Sequence, residues 1–200
     1  MSRFYVLTPF SRIENKAKLI EHLRPFNIIW HPLIHEEIKF EEEWICPVGI
    51  NMPAKIIIEQ PYYKLNYFLD RERLDQEGYY SFLCDDDFYE DDFFAKIEKQ
   101  LAKMNFNSWP ELIVVSMKRG LHKVGKHPVS TLVATQENMR VDKVGLEQMI
   151  IKGNLLDKLR FNHWSGADGL MAEVLVQHVA VIVYLPDIYV HFNYLESGRW

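Results

Sequence analysis

The stretch "YYSFLCDDDFYEDDFF", residues 79–94, passes from six residues with almost no charge into a segment in which six of eight side chains are carboxylates. We call this segment, residues 85–92, the acidic run. The short apolar stretch before it is typical of a buried strand, so the carboxylates stand at the carboxyl end of that strand. In an open α/β sheet, ligands bind beyond the carboxyl ends of the strands. The acidic run therefore marks a candidate ligand site.

Upstream of the acidic run, strand-like and helix-like segments alternate. "FYVLT" (residues 4–8) is a short apolar stretch that predicts a buried parallel strand. "SRIENKAKLIEHL" (11–23) has Ser11 and Glu14 at capping-box spacing and predicts a helix. Two further strands are predicted at "NIIWHPLI" (27–34) and "AKIIIEQ" (54–60).

Downstream of the acidic run, the alternation continues less regularly. Apolar side chains repeat at helical spacing from Phe94 to Met104, and "ELIVVSM" (111–117) is strand-like. The remaining predictions are an exposed basic loop at 118–130, a helix over 145–161 interrupted near Gly153, a helix over 166–180 and closing strands over 181–186 and 188–195. This order predicts an α/β domain with a central, mostly parallel sheet flanked by helices.

Composition limits the class of protein. The chain has 200 residues, 48% of them hydrophobic, which suits one sizeable core and a single domain. A formal net charge of −5 gives no reason to expect nucleic acid or a membrane surface as a partner. Cys46 and Cys84 lack CxxC spacing, which argues against a thiolate zinc site and fits a reducing compartment. No apolar stretch approaches the roughly 18 residues of a membrane span, so a soluble, cytoplasmic protein is expected.

The first three residues of the acidic run differ from the last three. Glu90, Asp91 and Asp92 are explained by the first turn of the next helix, whose dipole favours negative charge. Adjacent carboxylates at Asp85–Asp87 repel one another unless a cation or hydrogen-bond donors compensate them. Mg²⁺ and Mn²⁺ prefer oxygen ligands and bind a few carboxylates together with substrate phosphates. The triplet therefore predicts a divalent-cation or nucleotide site, with a simple polar turn as the alternative.

The segment "YYSFLCDDD" resembles the aspartate motif, D-x-D, of nucleotide-sugar-dependent glycosyltransferases with the GT-A fold. "FYVLTPFSRIENKAKLIEHL" is similar to the first strand, Thr/Pro turn and helix of these enzymes, above all those of the family 2 type. "KLNYFLDRERLDQEGYYSFLCDDD" also resembles the asparagine-bearing helix that leads into the motif strand. A weaker likeness is to the small glycosyltransferases of large algal viruses. The resemblance implies one Rossmann-like GT-A domain, with a nucleotide-sugar-binding half at 1–110 and an acceptor-binding half at 111–200.

The resemblance also implies an activity. A sugar would pass from a nucleoside diphosphate sugar, UDP- or GDP-linked, to a hydroxyl acceptor such as a glycan or glycoprotein, with Mn²⁺ or Mg²⁺ as cofactor. It places Asp85, Asp87 and His191 at the metal. The implied nucleotide-binding residues are Thr8, Pro9, Arg12, Asn66, Asp85, Asp86 and Arg199. Three of these positions keep an ordinary alternative, a solvated helix residue for Arg12, a plain strand histidine for His191 and a frayed tail for Arg199.

The catalytic residue implied by the resemblance is Asp168. "VGLEQMIIKGNLLDKL" followed by "HWSGADGLMAEVL" looks like the acceptor half of a GT-A enzyme, in which an acidic residue at a helix start serves as base. A base of this kind implies direct displacement with inversion of the anomeric configuration. The alternative is structural, because Ser165 and Asp168 have the spacing of a capping box.

Two other function classes stay open from the sequence. A nucleotidyltransferase or phosphatase could use the same carboxylates for metal-dependent phosphoryl transfer. A non-catalytic carbohydrate-binding protein would bind sugar without depending on Mn²⁺ or Mg²⁺. Consumption of a nucleotide sugar with release of its nucleotide distinguishes the glycosyltransferase from both.

Overall fold

Buried apolar stretches form the strands of a central sheet. The computed structural model describes residues 3–35, 38–50, 60–104, 109–119, 130–162 and 166–192. The strands are β1 (Phe4–Pro9), β2 (Ile28–Ile34), β3 (Val48–Gly49), β4 (Tyr79–Phe82), β5 (Phe88–Tyr89), β6 (Leu112–Arg119), β7 (Ser130–Leu132), β8 (Met149–Lys152) and β9 (Ile182–Phe192). The α-helices are α1 (Lys16–Leu23), α2 (Gln60–Arg71), α3 (Phe93–Lys103), α4 (Gly153–Leu156) and α5 (Ala167–His178).

The described strands form one sheet in the order β3-β2-β1-β4-β8-β6-β9-β5, with β7 beside β6. The strands β1, β2, β3 and β4 are parallel to their neighbours in this group, and β6 is parallel to β9. The strand β8 is antiparallel to both β4 and β6. The strands β1, β4, β6 and β9 therefore end at one edge of the sheet, where β8 begins, and we call this the carboxyl edge.

Helices cover both faces of the sheet. Alternation along β1 sends Phe4 and Val6 into one buried cluster and Tyr5 and Leu7 into the other. The first cluster includes apolar side chains of α1 and α3, whereas the second includes those of α2 and α5. The α/β class with a central sheet flanked by helices is confirmed.

Three sequence predictions differ from the structure in detail. The helix predicted over 145–161 is wrong at its centre, because Met149–Lys152 is the strand β8, which pairs on both sides. A short apolar stretch buried in this way has no periodicity that separates a strand from a helix. The two predicted closing strands are one continuous strand, β9, as far as Phe192, and residues 193–195 of the second lie outside the described residues. The capping box at Ser11 is not formed, since α1 begins at Lys16 after a 3₁₀ turn whose N-cap is Arg12.

Some predictions lie outside the described residues. They concern residues 54–59 of the predicted third strand and residues 120–129 of the basic loop. Gln60, the last residue of that predicted strand, begins the helix α2. Within the described part of the chain, no helix combines the length and the apolar character needed to cross a membrane.

The start of α5 packs tightly on the backbone near Val141. A Cβ atom on Gly169 would lie 2.3 Å from Val141 Cα and 2.6 Å from Val141 N. Gly169→Ala should therefore lower the free energy of unfolding by at least about 1 kcal/mol, because overpacking against backbone outweighs the gain in helix propensity. Urea unfolding measures this change. Gly49→Ala is the control, since a Cβ there meets nothing within 4 Å, and equal effects of both substitutions would contradict the packing argument.

Candidate functional site

The sheet topology brings residues from both halves of the chain to the carboxyl edge. In the β4–β8 pairing Ser81 lies opposite Ile150, so the residues just before β8 lie beside the end of β4. Those residues form a 3₁₀ turn, Leu146–Gln148. Glu147 in this turn consequently meets the segment that starts at Cys84, although 63 positions separate the two residues in the chain.

Cys84, Asp87 and Glu147 form a compact cluster of metal-ligating groups. One ligand atom from each residue lies within 4.8 Å of the others. The Cys84 thiol donates a hydrogen bond to Glu147 Oε1 at 3.1 Å, and the Asp87 amide donates to the Cys84 carbonyl at 3.1 Å. Asp87 is fully buried and Glu147 is 7% exposed. A thiol and two carboxylates held this closely could bind a metal ion.

Burial shifts the pKa values of two cluster members upward. Glu147 has its pKa raised to about 7, mainly because burial penalises the carboxylate and secondly because of the negative charge of Asp168. Burial raises the pKa of the Cys84 thiol well above its ordinary value, and the charge of Glu147 adds to this effect. Without a cation, both groups therefore favour their protonated forms more strongly than they would in water.

Asp85 is engaged with the turn after β1. Its Oδ2 accepts hydrogen bonds from the backbone amides of Ser11 at 2.6 Å and Arg12 at 2.7 Å, and its Oδ1 forms an ion pair with the Arg12 guanidinium. The Asn15 side-chain amide donates to the Asp85 carbonyl at 2.8 Å. This carboxylate caps the turn that leads into α1, which explains why the local capping box is not used.

Two cations compensate the buried negative charge here. Arg12 Nη1 lies 3.2 Å from Asp86 Oδ1 as well as beside Asp85. Lys64 of α2 is fully buried and donates to the Phe10 carbonyl at 2.6 Å. Burial lowers the pKa of Lys64 to about 8, and the charge of Asp85 opposes that shift. Burial raises the pKa of Asp86, against the opposing charge of Arg12.

Asp168 lies in the first turn of α5 and faces the same region. Its Oδ1 accepts a hydrogen bond from the Tyr62 hydroxyl, and its Oδ2 accepts one from the Leu146 amide at 3.3 Å. The N-cap of α5 is Gly166, and Ser165, the other member of the predicted capping box, lies outside the described residues. These two hydrogen bonds hold the Asp168 carboxylate between α2 and the turn that carries Glu147.

The other predicted site residues are placed as follows. The Thr8 hydroxyl is buried and accepts a hydrogen bond from Trp30 Nε1 at 2.8 Å, and Pro9 is the buried last residue of β1. The Asn66 amide exchanges two hydrogen bonds of 2.8 Å with the Phe161 backbone. His191 lies on β9 opposite Phe88, the residue after Asp87. Arg199 lies outside the described residues.

The acidic run divides as the sequence predicts. Asp85, Asp86 and Asp87 are buried, whereas Asp91 and Asp92 are exposed immediately before α3. Glu90 forms an ion pair with Lys96 of α3 at 3.2 Å. The first three carboxylates face the interior of the carboxyl edge, whereas the last three precede α3. The prediction that they form the first turn of that helix is wrong, because α3 begins at Phe93, its first turn has no acidic residue, and its N-cap Asp92 makes no side-chain capping hydrogen bond.

Sequence reasoning missed four residues of this site, Cys84, Glu147, Tyr62 and Lys64. Cys84 has the plainest signal, because it directly precedes the triplet at a strand end. Glu147 falls within a segment predicted as helix, so its position beside β4 depended on a strand pairing that the sequence did not indicate. Tyr62 and Lys64 lie on α2. The sequence left Tyr62 open between a core residue and a sugar-stacking surface, and it gave no signal of a contact with Asp168.

We compared the chain with known protein families, curated proteins and solved structures. No protein-family profile matches the chain, and no curated protein matches it in sequence. Among solved structures, S. aureus TarS, a GT-A-type glycosyltransferase, superposes with a TM-score of 0.59 at 14% identity. The chain has a glycosyltransferase-like fold. The match covers 94% of this chain but 36% of TarS, so the chain spans about a third of the length of that structure.

Glu147 should make stability depend on pH. Its pKa is raised from 4.5 to about 7 on folding, so the folded state binds more protons in that window and stability falls as pH rises through it. In Glu147→Gln the side chain cannot ionise. The free energy of unfolding of this variant, relative to that of the wild type, should therefore increase by up to about 3 kcal/mol as the pH rises from about 5 to about 8. Urea unfolding in the presence of a chelator measures the gain. If the difference in unfolding free energy between the variant and the wild type did not change with pH, the raised pKa of Glu147 would be contradicted.

Proposed function

We propose that the protein is a metal-dependent glycosyltransferase that moves a sugar from a nucleoside diphosphate donor to a hydroxyl acceptor. The observation that carries the proposal is the cluster of Cys84, Asp87 and Glu147 at the carboxyl edge of a glycosyltransferase-like sheet, next to Asp168. Ligands of open α/β sheets bind at this edge. The UDP- or GDP-linked donor and the glycan acceptor are part of the proposal.

The residues present fit a divalent cation. Asp87 and Glu147 supply oxygen ligands from buried positions, and the half-buried Cys84 supplies sulfur beside them. Two carboxylates suit Mn²⁺ or Mg²⁺, and the sulfur disfavours Mg²⁺, which takes oxygen ligands. When bound, the cation offsets the negative charge that develops on the diphosphate leaving group. We therefore propose Mn²⁺, with Asp87 and Glu147 as its carboxylate ligands; His191, one strand away, stays a prediction.

The turn after β1 is proposed to bind the nucleotide. Arg12 bridges Asp85 and Asp86, and its side chain is 19% exposed, so one part of the guanidinium can meet the diphosphate. Asp85 holds this turn through two backbone amides and acts in the proposal by shaping the pocket. The side chains of Thr8 and Asn66 form hydrogen bonds within the protein. We therefore propose that these two residues and Pro9 support the pocket from behind and do not contact the nucleotide directly. Asp86 and Arg199 are proposed nucleotide contacts.

Asp168 is the proposed base. It would accept the proton of the acceptor hydroxyl while that oxygen attacks the anomeric carbon and the bond from that carbon to the diphosphate oxygen breaks on the opposite face. The electron pair of the broken bond leaves with the diphosphate. A single displacement of this kind inverts the anomeric configuration.

A binding and turnover screen tests the proposal. Thermal shifts are measured for UDP, GDP and their sugars, each with Mn²⁺, with Mg²⁺ and with a chelator, and nucleotide release is then followed with hydroxyl acceptors. We expect a stabilising shift that needs both nucleotide and Mn²⁺, and release of the nucleoside diphosphate coupled to sugar transfer. Absence of any metal-dependent nucleotide binding would overturn the proposal. Sugar binding that does not depend on Mn²⁺ or Mg²⁺ would instead indicate a non-catalytic carbohydrate-binding protein.

A further inference from the structure

Tyr62 links the helix α2 to the proposed base. Its hydroxyl donates a hydrogen bond to Asp168 Oδ1 across 106 positions of the chain. The pKa of Tyr62 is raised strongly, first by burial and then by the charge of Asp168. The phenol therefore stays protonated at neutral pH and can only act toward Asp168 as a donor.

Tyr62 is itself held in a fixed position. Its ring stacks on Phe161 with centroids 5.9 Å apart and planes inclined by 24°. The backbone of Phe161 is fastened to the same helix, one turn further on, by both hydrogen bonds of the Asn66 amide. Tyr62 consequently offers its hydroxyl from a rigid support rather than from a freely rotating side chain.

The other oxygen of Asp168 is held from a different direction. The Leu146 amide that donates to Oδ2 belongs to the 3₁₀ turn that contains Glu147. The two donors together define the plane and rotation of the carboxylate. Among the described residues, loss of the Tyr62 hydroxyl would leave the Asp168 carboxylate one hydrogen bond, from the Leu146 amide at 3.3 Å, about which the side chain can turn.

We propose that Tyr62 is a positioning residue that aims the Asp168 carboxylate at the acceptor hydroxyl. The inference rests on the proposed function, in which Asp168 is the base. A base acts when its oxygen lies within about 2.6–3.2 Å of the atom that carries the proton, and a displacement of about 1 Å can cost about 100-fold in rate. Removing the hydroxyl that fixes Asp168 therefore affects the chemical step rather than donor binding.

The same helix also reaches the proposed nucleotide side of the site. Lys64, two residues after Tyr62, holds the Phe10 carbonyl in the turn after β1. The helix α2 thereby fixes both the turn proposed to bind the diphosphate and the orientation of the proposed base. The helix α2 therefore sets the distance between the proposed diphosphate-binding turn and the proposed base, Asp168.

Tyr62→Phe tests the inference because it removes only the hydroxyl. We expect kcat to fall by about 10- to 100-fold, with the KM for the donor and Mn²⁺ binding close to those of the wild type, and the melting temperature to fall by what the loss of one hydrogen bond to a carboxylate costs. The control is Tyr67→Phe on the same helix, whose ring lies 3.8 Å from the Arg71 guanidinium and which should keep full activity. An unchanged kcat, or a rise in KM alone, would overturn the positioning role.

A crystal structure of Tyr62→Phe gives a readout that does not depend on activity. The Asp168 carboxylate should be rotated away from the orientation that it has in the wild-type protein. A carboxylate that keeps its orientation without the hydroxyl overturns the inference, whatever the activity. Failure of the wild-type protein to bind nucleotide or to transfer sugar would instead overturn the proposed function, so the two failures are distinguishable.

Discussion

Asp168→Asn should abolish sugar transfer while leaving donor binding close to normal. The amide cannot accept the proton of the acceptor hydroxyl, and general-base catalysis contributes about 100- to 10,000-fold, so kcat should fall within or beyond that range. Donor binding should persist because Asp168 contacts Tyr62 and Leu146 rather than the turn after β1. Steady-state kinetics and a titration with the nucleoside diphosphate measure the two quantities separately.

Folding must be checked for this variant. One hydrogen bond to the Asp168 carboxylate is lost when an oxygen becomes an amide nitrogen, at a cost of about 1–3 kcal/mol. The melting temperature shows whether the loss stays local. Asp157→Asn, at an exposed position after α4, is the control and should keep full activity. An active Asp168→Asn enzyme would reduce Asp168 to a structural residue at the start of α5.

Asp87→Asn should remove metal binding and, with it, turnover. The neutral amide is a weaker ligand than a carboxylate, and loss of even an indirect partner of a metal ligand costs 10- to 100-fold in affinity or activity. We therefore expect more than about 100-fold weaker Mn²⁺ binding, measured by calorimetry, and a matching loss of rate at a fixed Mn²⁺ concentration. High Mn²⁺ should partly restore the rate.

The acidic run supplies the control for this substitution. Asp91→Asn makes the same chemical change four residues away, at an exposed position before α3. Its Mn²⁺ affinity and activity should equal those of the wild type. Equal effects of the two variants would show that the run acts through its total charge, and the cluster with Cys84 and Glu147 would lose its special role.

The parts of the site that lie close together in the sequence could be predicted, and the parts joined by strand pairing could not. A carboxylate triplet after an apolar strand indicated a strand end, and burial of Asp85–Asp87 beside an exposed Asp91 and Asp92 agrees with the predicted division of the run. The role of Asp85 in holding the turn after β1 could not be predicted, because besides the Arg12 guanidinium its partners are the backbone amides of Ser11 and Arg12. Amide groups carry no sequence signal.

The position of Glu147 shows most clearly what could not be predicted from the sequence. Its neighbours "GLEQMIIKG" combine helix-forming residues with a short apolar stretch, and such a stretch is compatible with either structure. Only the pairing of β8 with β4 and β6 decides between them, and that pairing joins segments far apart in the chain. A register shift of one residue would send alternate side chains to the opposite face, so the position of Glu147 depends on the assembled sheet.

The place of β8 in the sheet has a consequence for synthesis of the protein. The strand β4 leaves the ribosome well before residues 149–152, its partner on one side, have been made. During that interval the nascent chain exposes an unpaired apolar strand edge, which is a template for association with other chains. The negative charges that follow β4 repel other chains. The acidic run would therefore reduce aggregation until β8 has been synthesised and has paired with β4.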